Sequence, residues 1–464
     1  MRIKIFGAAG GEVTGSAYLV QSDSASILVD MGMFQGGKAS EVKNKIPPGL
    51  SIKKIDAILL THGHLDHTGR LPMLIKMGYK NPIYGTEQTH ELTQIILQDS
   101  ARLQAGDAMR HNRKFLRKGE PPKESLYSIE HVEFMQELNR SITLDKPVPV
   151  AKGITARWIE AGHMLGSGSI ELTVEERGKK KVVVFSGDLG PVNFPLLKTF
   201  SHFSKADVIF MESTYGDRDH RPYDETLKEF KAIVELVAKS SGKVLVPCFA
   251  IGRAQQIIYH MAEIFSRKEV KQFPVYLDSP MALKAFDVYK DSQNLLDSDY
   301  QELKRRGVFP MDKTFFIPSP TGETSKALND LKGPCMILAG AGMCNGGRIL
   351  HHLFRNLEDP KAHVMIVGFQ SAGSIGRRLV EKVPTISIFG KVLKVKANIH
   401  TLGGFSAHAG QTDLLKWLSY VAPSKPKIIL THGEDGPRQA LAACINRDFK
   451  IKAVLPRIGD VIEV

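Results

Sequence analysis

The sequence predicts an α/β protein of two domains, one split around the other. Three observations carry this. The first hundred residues alternate strand-like runs with glycine turns, and the chain stays strand-rich to about residue 215. Between 243 and 381 the pattern changes to strand, loop and helix, repeated four times, which argues for a parallel sheet flanked by helices. Beyond 396 short strands return, among them the apolar run of KIILTHGE at 427–434. The expected domains are 1–215, an insertion at 216–395, and 396–464 closing back on the first.

The elements follow in order. Residues 3–6, 17–20 and 26–30 read as strands, and DAILLT at 56–61 is a buried strand running into HGHLDHTG. From Thr86 to about Lys118 the pattern is helical. Its end is basic, with Arg110, Arg113, Lys114, Arg117 and Lys118, which is either a solvated helix face or a patch for a polyanion. Strands are expected at 154–160, 169–176 and 181–186, the last two joined by the turn Arg177-Gly178-Lys179-Lys180. The third runs into SGDLG, and a further strand at 207–211 runs into ESTYG. The four strand–helix units lie at 243–262, 274–289, 335–354 and 363–381. In such sheets the ligand crevice lies beyond the carboxyl ends of the strands. Trp158 and Trp417 are expected in cores.

Composition narrows the class. With 464 residues, 42% hydrophobic and 24% charged, the chain is ordinary globular protein, so disorder, collagen and coiled coil are excluded as descriptions of the whole. Lys and Arg number 62 against 49 Asp and Glu, a net charge of +13, which suits a polyanionic partner without identifying one. Cys248, Cys335, Cys344 and Cys444 are far apart and form no C-x-x-C pair, so a reducing compartment is expected. The N-terminus builds no apolar signal core, and no run of about 18 apolar residues appears, so no membrane span is expected. These features suggest a cytoplasmic protein.

The strongest local signal is His62-Gly63-His64-Leu65-Asp66-His67, four metal-ligand residues within six, directly after an apolar strand. A loop at a strand end fans such side chains toward one point, and imidazole with carboxylate suits zinc, with manganese or iron as alternatives. His163 in AGHMLGSGS, Asp188 in FSGDLG and His432 in LTHGE also follow apolar strands. Seven ligands suffice for two metals. The natural division puts His62, His64 and His163 on one and Asp66, His67 and His432 on the other, with Asp188 bridging. Two such metals lower the pKa of a shared water from about 15.7 toward 7 and stabilise charge growing on a phosphoryl oxygen. The leaving oxygen of a phosphodiester still needs a proton from a general acid.

This ligand set resembles that of the metallo-β-lactamase superfamily, and ESTYG, FSAH and THGE around the insertion resemble the β-CASP nucleases. The resemblance runs along essentially the whole chain. Among its members it is most similar to the RNA-processing enzymes, the cleavage-polyadenylation endonuclease subunit and its shorter prokaryotic counterparts. It implies a metallo-β-lactamase αββα sandwich with an inserted β-CASP domain and two Zn2+ per chain. Asp30, in ILVDMGMFQGG, matches the early aspartate that supports the histidine loop without binding metal. Glu212 matches the first β-CASP motif and His408, in GFSAHAG, the second. The resemblance makes them the pair that protonates the leaving oxygen. His432 matches the third motif, where DNA-directed members typically carry an apolar residue, which favours RNA. The expected function is a zinc-dependent ribonuclease that hydrolyses single-stranded RNA through a metal-bridging hydroxide, in endonuclease or 5′-exonuclease mode, leaving 5′-phosphate and 3′-hydroxyl ends. A DNA-directed nuclease, a hydrolase of small substrates and a non-catalytic RNA-binding scaffold stay open as alternatives, as does a homodimer.

The loops after the four strands of the insertion also fit a polyanion. They offer Arg253, Ser279, then Gly342, Gly346, Gly347 and Arg348, then Ser371, Ser374, Arg377 and Arg378, with His400 nearby. Glycine lets backbone N–H groups approach phosphate, and helix N-termini favour anions. The plain alternative is that these are the tight turns of an α/β sheet.

Overall fold

The computed structural model describes residues 1–36, 38–115, 121–240, 242–368, 370–371 and 373–464. The chain divides into two compact units. The first comprises Met1–Val192, Thr199–Asp219 and His408–Val464, and the second Asn193–Lys198 and His220–Ala407.

The first unit is built on two sheets. One has seven strands in the order Val461–Glu463, Arg2–Ile5, Tyr18–Gln21, Ser26–Val29, Ala57–Leu59, Ile83–Thr86 and Asn139–Ile142. The other has six, in the order Lys427–Leu430, Val208–Met211, Lys179–Phe185, Gly168–Glu176, Ile154–Glu160 and Val148–Ala151. Period-two alternation decides which residues face inward. Ile3 and Ile5 point into a core shared with Trp158, Ile170, Leu172, Val183 and Phe210 of the second sheet, while Arg2 and Lys4 point out. Trp158 is fully buried and its Nε1 donates to the Leu60 carbonyl at 2.9 Å, so the large apolar ring brings no orphaned donor.

Each sheet has a second apolar face, and helices cover both. Leu71–Lys76, Glu87–Phe115 and Ile129–Leu138 pack on the seven-stranded sheet through Leu74, Leu97 and Val132. Gln411–Ser419 and Asp435–Phe449 cover the six-stranded one through Leu414, Trp417 and Leu441. The result is a four-layered αββα sandwich.

Several details differ from the sequence reading. The hairpin at 177 has a two-residue turn, because Arg177 (φ 51°) and Gly178 (φ 73°) both adopt left-handed backbone and Glu176 pairs directly with Lys179. The strands Ile83–Thr86, Asn139–Ile142, Val148–Ala151 and Val461–Glu463 and the helix Ile129–Leu138 were not expected. The long helix ends at Phe115, and Arg117 and Lys118 lie outside the described residues.

The second unit is a six-stranded sheet in the order Ile317–Pro318, Val275–Asp278, Cys335–Ala339, Lys243–Pro247, His363–Ile366 and Asn398–Thr401. Every pairing in it is parallel. Four of its strands lead into the helices Arg253–Ser266, Pro280–Asp291, Ile349–Asn356 and Ile375–Val380. Strand Asn398–Thr401 belongs here, not to the first unit: His363 pairs with Asn398 and Ile366 with Thr401. That pairing carries the unit to Ala407, past the expected boundary at 395. All four cysteines are free, and no helix of the described residues is long and apolar enough to cross a membrane.

Candidate metal centre

The histidine loop begins where strand Ala57–Leu59 stops. The parallel neighbour Ser26–Val29 ends beside it, and Asp30 follows with φ 57°, a left-handed conformation that costs a non-glycine residue energy. Its carboxylate accepts the Thr61 backbone N–H at 2.9 Å, the Thr61 hydroxyl at 2.8 Å and His67 Nδ1 at 2.8 Å. Asp30 thus ties the two strand ends together and orients His67. The single helical turn Leu65–Thr68 swings Asp66 and His67 back toward the strand ends. Gly32 is required here, because a Cβ at that position would lie 1.5 Å from the Asp66 carbonyl oxygen. Gly190 plays the same part between the SGDLG and AGH loops, where a Cβ would fall 1.8 Å from the Gly162 carbonyl.

The hydrogen-bond pattern assigns the protons. The Thr61 hydroxyl donates to Asp30 and accepts from His62 Nδ1 at 3.1 Å. The Thr214 hydroxyl donates to the His432 carbonyl and accepts from His432 Nδ1 at 3.1 Å. With His67 Nδ1 on Asp30, three imidazoles have Nδ1 occupied and Nε2 bare. Nδ1 partners of this kind fix the tautomer of metal-ligating histidines.

The ring nitrogens and carboxylate oxygens converge in two groups. Ligand atoms of His62, His64, His163 and Asp188 lie within 4.8 Å of one another, as do those of Asp66, His67 and His432. His64 Nδ1 stands 3.1 Å from both His62 Nε2 and His163 Nε2. Asp188 Oδ2 is 3.5 Å from His62 Nε2 and 3.6 Å from His163 Nε2. Its other oxygen, Oδ1, is 3.3 Å from His67 Nε2 and 3.4 Å from His432 Nε2. His67 Nε2 and His432 Nε2 are 3.3 Å apart, and Asp66 Oδ2 is 3.5 Å from His432 Nε2. Tetrahedral coordination with bonds of about 2.0–2.1 Å has ligand–ligand edges of about 3.3–3.4 Å. These spacings fit it. Asp188 Oδ1 is buried yet receives no hydrogen bond, an orphaned acceptor that a cation would satisfy. The donor set of imidazoles and carboxylates and this orphaned oxygen fit two small divalent metals, with one carboxylate oxygen facing each group.

A third cluster joins Asp188, Glu212 and His408. Glu212 directly follows strand Val208–Met211 and is buried. Its Oε1 accepts the Leu189 N–H at 2.7 Å and faces His408 Nδ1 at 3.3 Å. Burial alone drives the His408 pKa down, but the Glu212 carboxylate, by charge and by hydrogen bond, together with the charges of Asp188 and Asp66, outweighs it and lifts the pKa to about 9. The His408 and His163 rings are 4.6 Å apart, so an imidazolium stands beside the ligand cluster.

The sequence reading missed Thr61 and Thr214. Their signal is plain afterwards: one threonine directly precedes His62, and the other is the threonine of ESTYG.

The expected phosphate contacts of the second unit lie in or beside the segments that follow its parallel strands, and most have partners within that unit. Arg348 Nη1 donates to buried Asp278 and to the Ser319 carbonyl, both at 2.7 Å, and Nη2 to the Pro320 carbonyl at 3.1 Å. Ser279 caps its helix, accepting the Ala282 N–H. Ser374 does the same for Arg377, whose guanidinium pairs with Glu381 at 2.6 Å. Arg378 donates to the Thr385 carbonyl, and the Ser371 hydroxyl lies against Met343 Sδ. Arg253 is buried against Gln256 and over the Phe194 and Phe405 rings. His400 stacks on His363 with 2.9 Å between ring nitrogens. Gly342 packs against Phe249, and Gly347, at φ +71°, turns over the Gly340 carbonyl, while Gly346 faces open space.

Three family models match the chain. The metallo-beta-lactamase superfamily matches residues 10–248, the Beta-Casp domain 254–379, and the Zn-dependent metallo-hydrolase RNA specificity domain 392–456. Ribonuclease TTHA0252 of Thermus thermophilus is 38% identical over 441 residues, covering 95% of each chain. The transcription termination factor FttA of Pyrococcus horikoshii is 29% identical over an alignment of 486 residues, covering 100% of this chain and 71% of that protein. A crystal structure of a protein of unknown function from Enterococcus faecalis V583 has a TM-score of 0.53 at 14% identity, over 100% of this chain and 99% of that one, and so shares the fold.

Proposed function

This chain belongs to the metallo-β-lactamase superfamily and carries its β-CASP domain, and from that premise we propose that it is a zinc-dependent ribonuclease cutting phosphodiester bonds of single-stranded RNA. The observation that carries the reading is Asp188, whose two carboxylate oxygens each face a separate group of imidazole nitrogens. That arrangement supports two zinc ions, one held by His62, His64 and His163, the other by Asp66, His67 and His432, with Asp188 between. When bound, such a pair supplies a nucleophilic water at neutral pH and neutralises charge on the phosphoryl oxygens.

The remaining work falls to the chain itself. His408 holds a proton on Nε2 while Nδ1 faces Glu212, so the pair delivers that proton to the departing sugar oxygen. Glu212 is fixed by the Leu189 N–H and keeps the ring turned. RNA as substrate is supported by the RNA specificity domain model and by the ribonuclease and termination-factor relatives. We take the split unit as the catalytic domain and the inserted unit, including the residues from 253 to 400 considered above, as the RNA-holding domain. Four free cysteines support a cytoplasmic location.

The test is incubation with end-labelled single-stranded RNA, carrying either a 5′-phosphate or a 5′-hydroxyl. Cleavage that a chelator abolishes and zinc restores is the expected result. Internal fragments indicate endonuclease action, and a ladder from the 5′ end indicates exonuclease action. RNA left intact by zinc-loaded protein overturns the proposal.

A further inference from the structure

A second basic site lies on the first unit, on the far side of the seven-stranded sheet from the metal centre. The register locates it. Arg2 pairs with Gln21, and Gln21 with Ser26, across one end of three neighbouring strands. At the other end Ile5 pairs with Tyr18 and Tyr18 with Val29, and Val29 leads into Asp30. Four-residue strands separate the two ends by about 10 Å. The faces differ too: Ile3 and Ile5 enter the inter-sheet core, so Arg2 and Lys4 stand on the outer face.

The helices leave part of that outer face uncovered, and the segment 49–55 arches over it. Between them is a cavity of about 310 Å³, with Leu19 and Ile55 in its walls. Its polar lining is Arg2, Lys4, Lys54, Gln21, Ser26 and Ser51, three cations and no carboxylate. Gly49, at φ +83°, brings the arch down until a Cβ there would sit 3.3 Å from Lys4 Nζ, so the ammonium reaches the underside of the loop. None of the three cations makes an ion pair among the described residues; Arg2 Nε only touches Gln21 Oε1, at 3.1 Å. Two carboxylates stand outside the lining. Asp56 accepts the Ser26 N–H at 2.8 Å, and Glu463 lies opposite Arg2 in the sheet.

Cations that line one cavity without an ion pair repel one another, here with only the Phe6 ring 5.3 Å from Lys4 Nζ as a further contact among the described residues, and an arrangement of this kind is relieved by an anion. Three positive charges with an arginine fork and neutral donors match the several oxygens of a phosphate better than a single carboxylate. The volume exceeds what an inorganic ion needs and reaches the lower range of small-molecule sites, about 300 Å³. We propose that this cavity binds a phosphate group carried by a nucleotide-sized unit, presented either by a free mononucleotide or by an RNA strand. It stands independently of the metal-centre reading, since it shares no residue with it.

The test reads the lysines themselves. Whole protein is treated with an amine-acylating reagent, and modification of Lys4 and Lys54 is followed by mass spectrometry. The additions are AMP, a single-stranded oligoribonucleotide, or sodium chloride at matched ionic strength. The expected result is selective protection of both lysines by AMP or by RNA, with chloride having no such effect. Protection by AMP assigns the source as free nucleotide, and protection by RNA alone assigns it as the polymer. In the Lys4→Gln variant, the ligand concentration that half-protects Lys54 should rise at least about fivefold, as expected for loss of a charge-assisted contact. No protection by either phosphate ligand, or equal protection by chloride, overturns the proposal. So does an unchanged half-protection concentration in the variant.

Discussion

Asp30, Asp188 and His408 have three separable duties around the same few ångströms. Asp188 faces both groups of candidate ligands, so on the proposed two-zinc reading Asp188→Asn should lower bound zinc from two per chain to one or none, measured by elemental analysis after dialysis. Asp30 touches no metal position but holds the Nδ1 of His67, so Asp30→Asn should weaken metal affinity by about 10- to 100-fold, read by competition with a chelating dye. His408→Ala removes the proposed proton donor and leaves all seven proposed ligands. Cleavage should fall by about 10²- to 10⁴-fold while zinc content stays unchanged. Loss of zinc in that variant would make His408 a metal ligand instead. At this scale the residues that the fold brings together were largely legible in the sequence, because four of these candidate ligands lie within six residues and the others each follow an apolar strand. Thr61 and Thr214 were not legible, since a hydroxyl becomes meaningful only once its imidazole neighbour is located.

Strands and loops set those residues in place through close backbone approaches. Gly32→Ala would drive a Cβ into the Asp66 carbonyl at the foot of the histidine loop. The loop must shift, and the variant should lose several kcal/mol, about 3 or more, in denaturant unfolding, together with metal affinity. In the second unit, Asp278 is the hub of a buried cluster: it accepts from Arg348, His352, Ser319 and Ser325, each at 2.7 Å. Asp278→Ala strands a guanidinium, an imidazole and two hydroxyls, and should destabilise by about 3–5 kcal/mol in the same assay. The Arg348 contacts with Asp278, Ser319 and Pro320 hold its guanidinium in place. The sequence pattern for this loop, glycines followed by an arginine, looks the same for a phosphate cradle and for a salt-bridged turn. Edge strands such as Val148–Ala151 and Val461–Glu463 were missed because three or four residues are too short for a visible alternation.

Over the whole molecule the surplus of positive charge supplies attraction that salt must weaken. If about five phosphates are neutralised on a single strand, RNA affinity should fall by about 100-fold as salt rises from about 50 to about 200 mM, measured by filter binding. A flat salt response would leave the net charge of +13 without a part in substrate binding.

Local order determined what the sequence alone could say. Strand–helix alternation fixes the class of the insertion, and clustered histidines after apolar strands announce a metal centre, because both depend on neighbours a few residues apart. What tertiary structure decided are the relations between distant segments. Strand Asn398–Thr401 joins the parallel sheet because His363–Ile366 offers it an open edge 35 residues back. Asp188 turns one oxygen to each ligand group, and Arg348 turns to Asp278, because the backbone of strands remote in sequence brings those partners within reach. Backbone pairing and burial over such separations leave no periodicity in the sequence, so only the folded chain displays them.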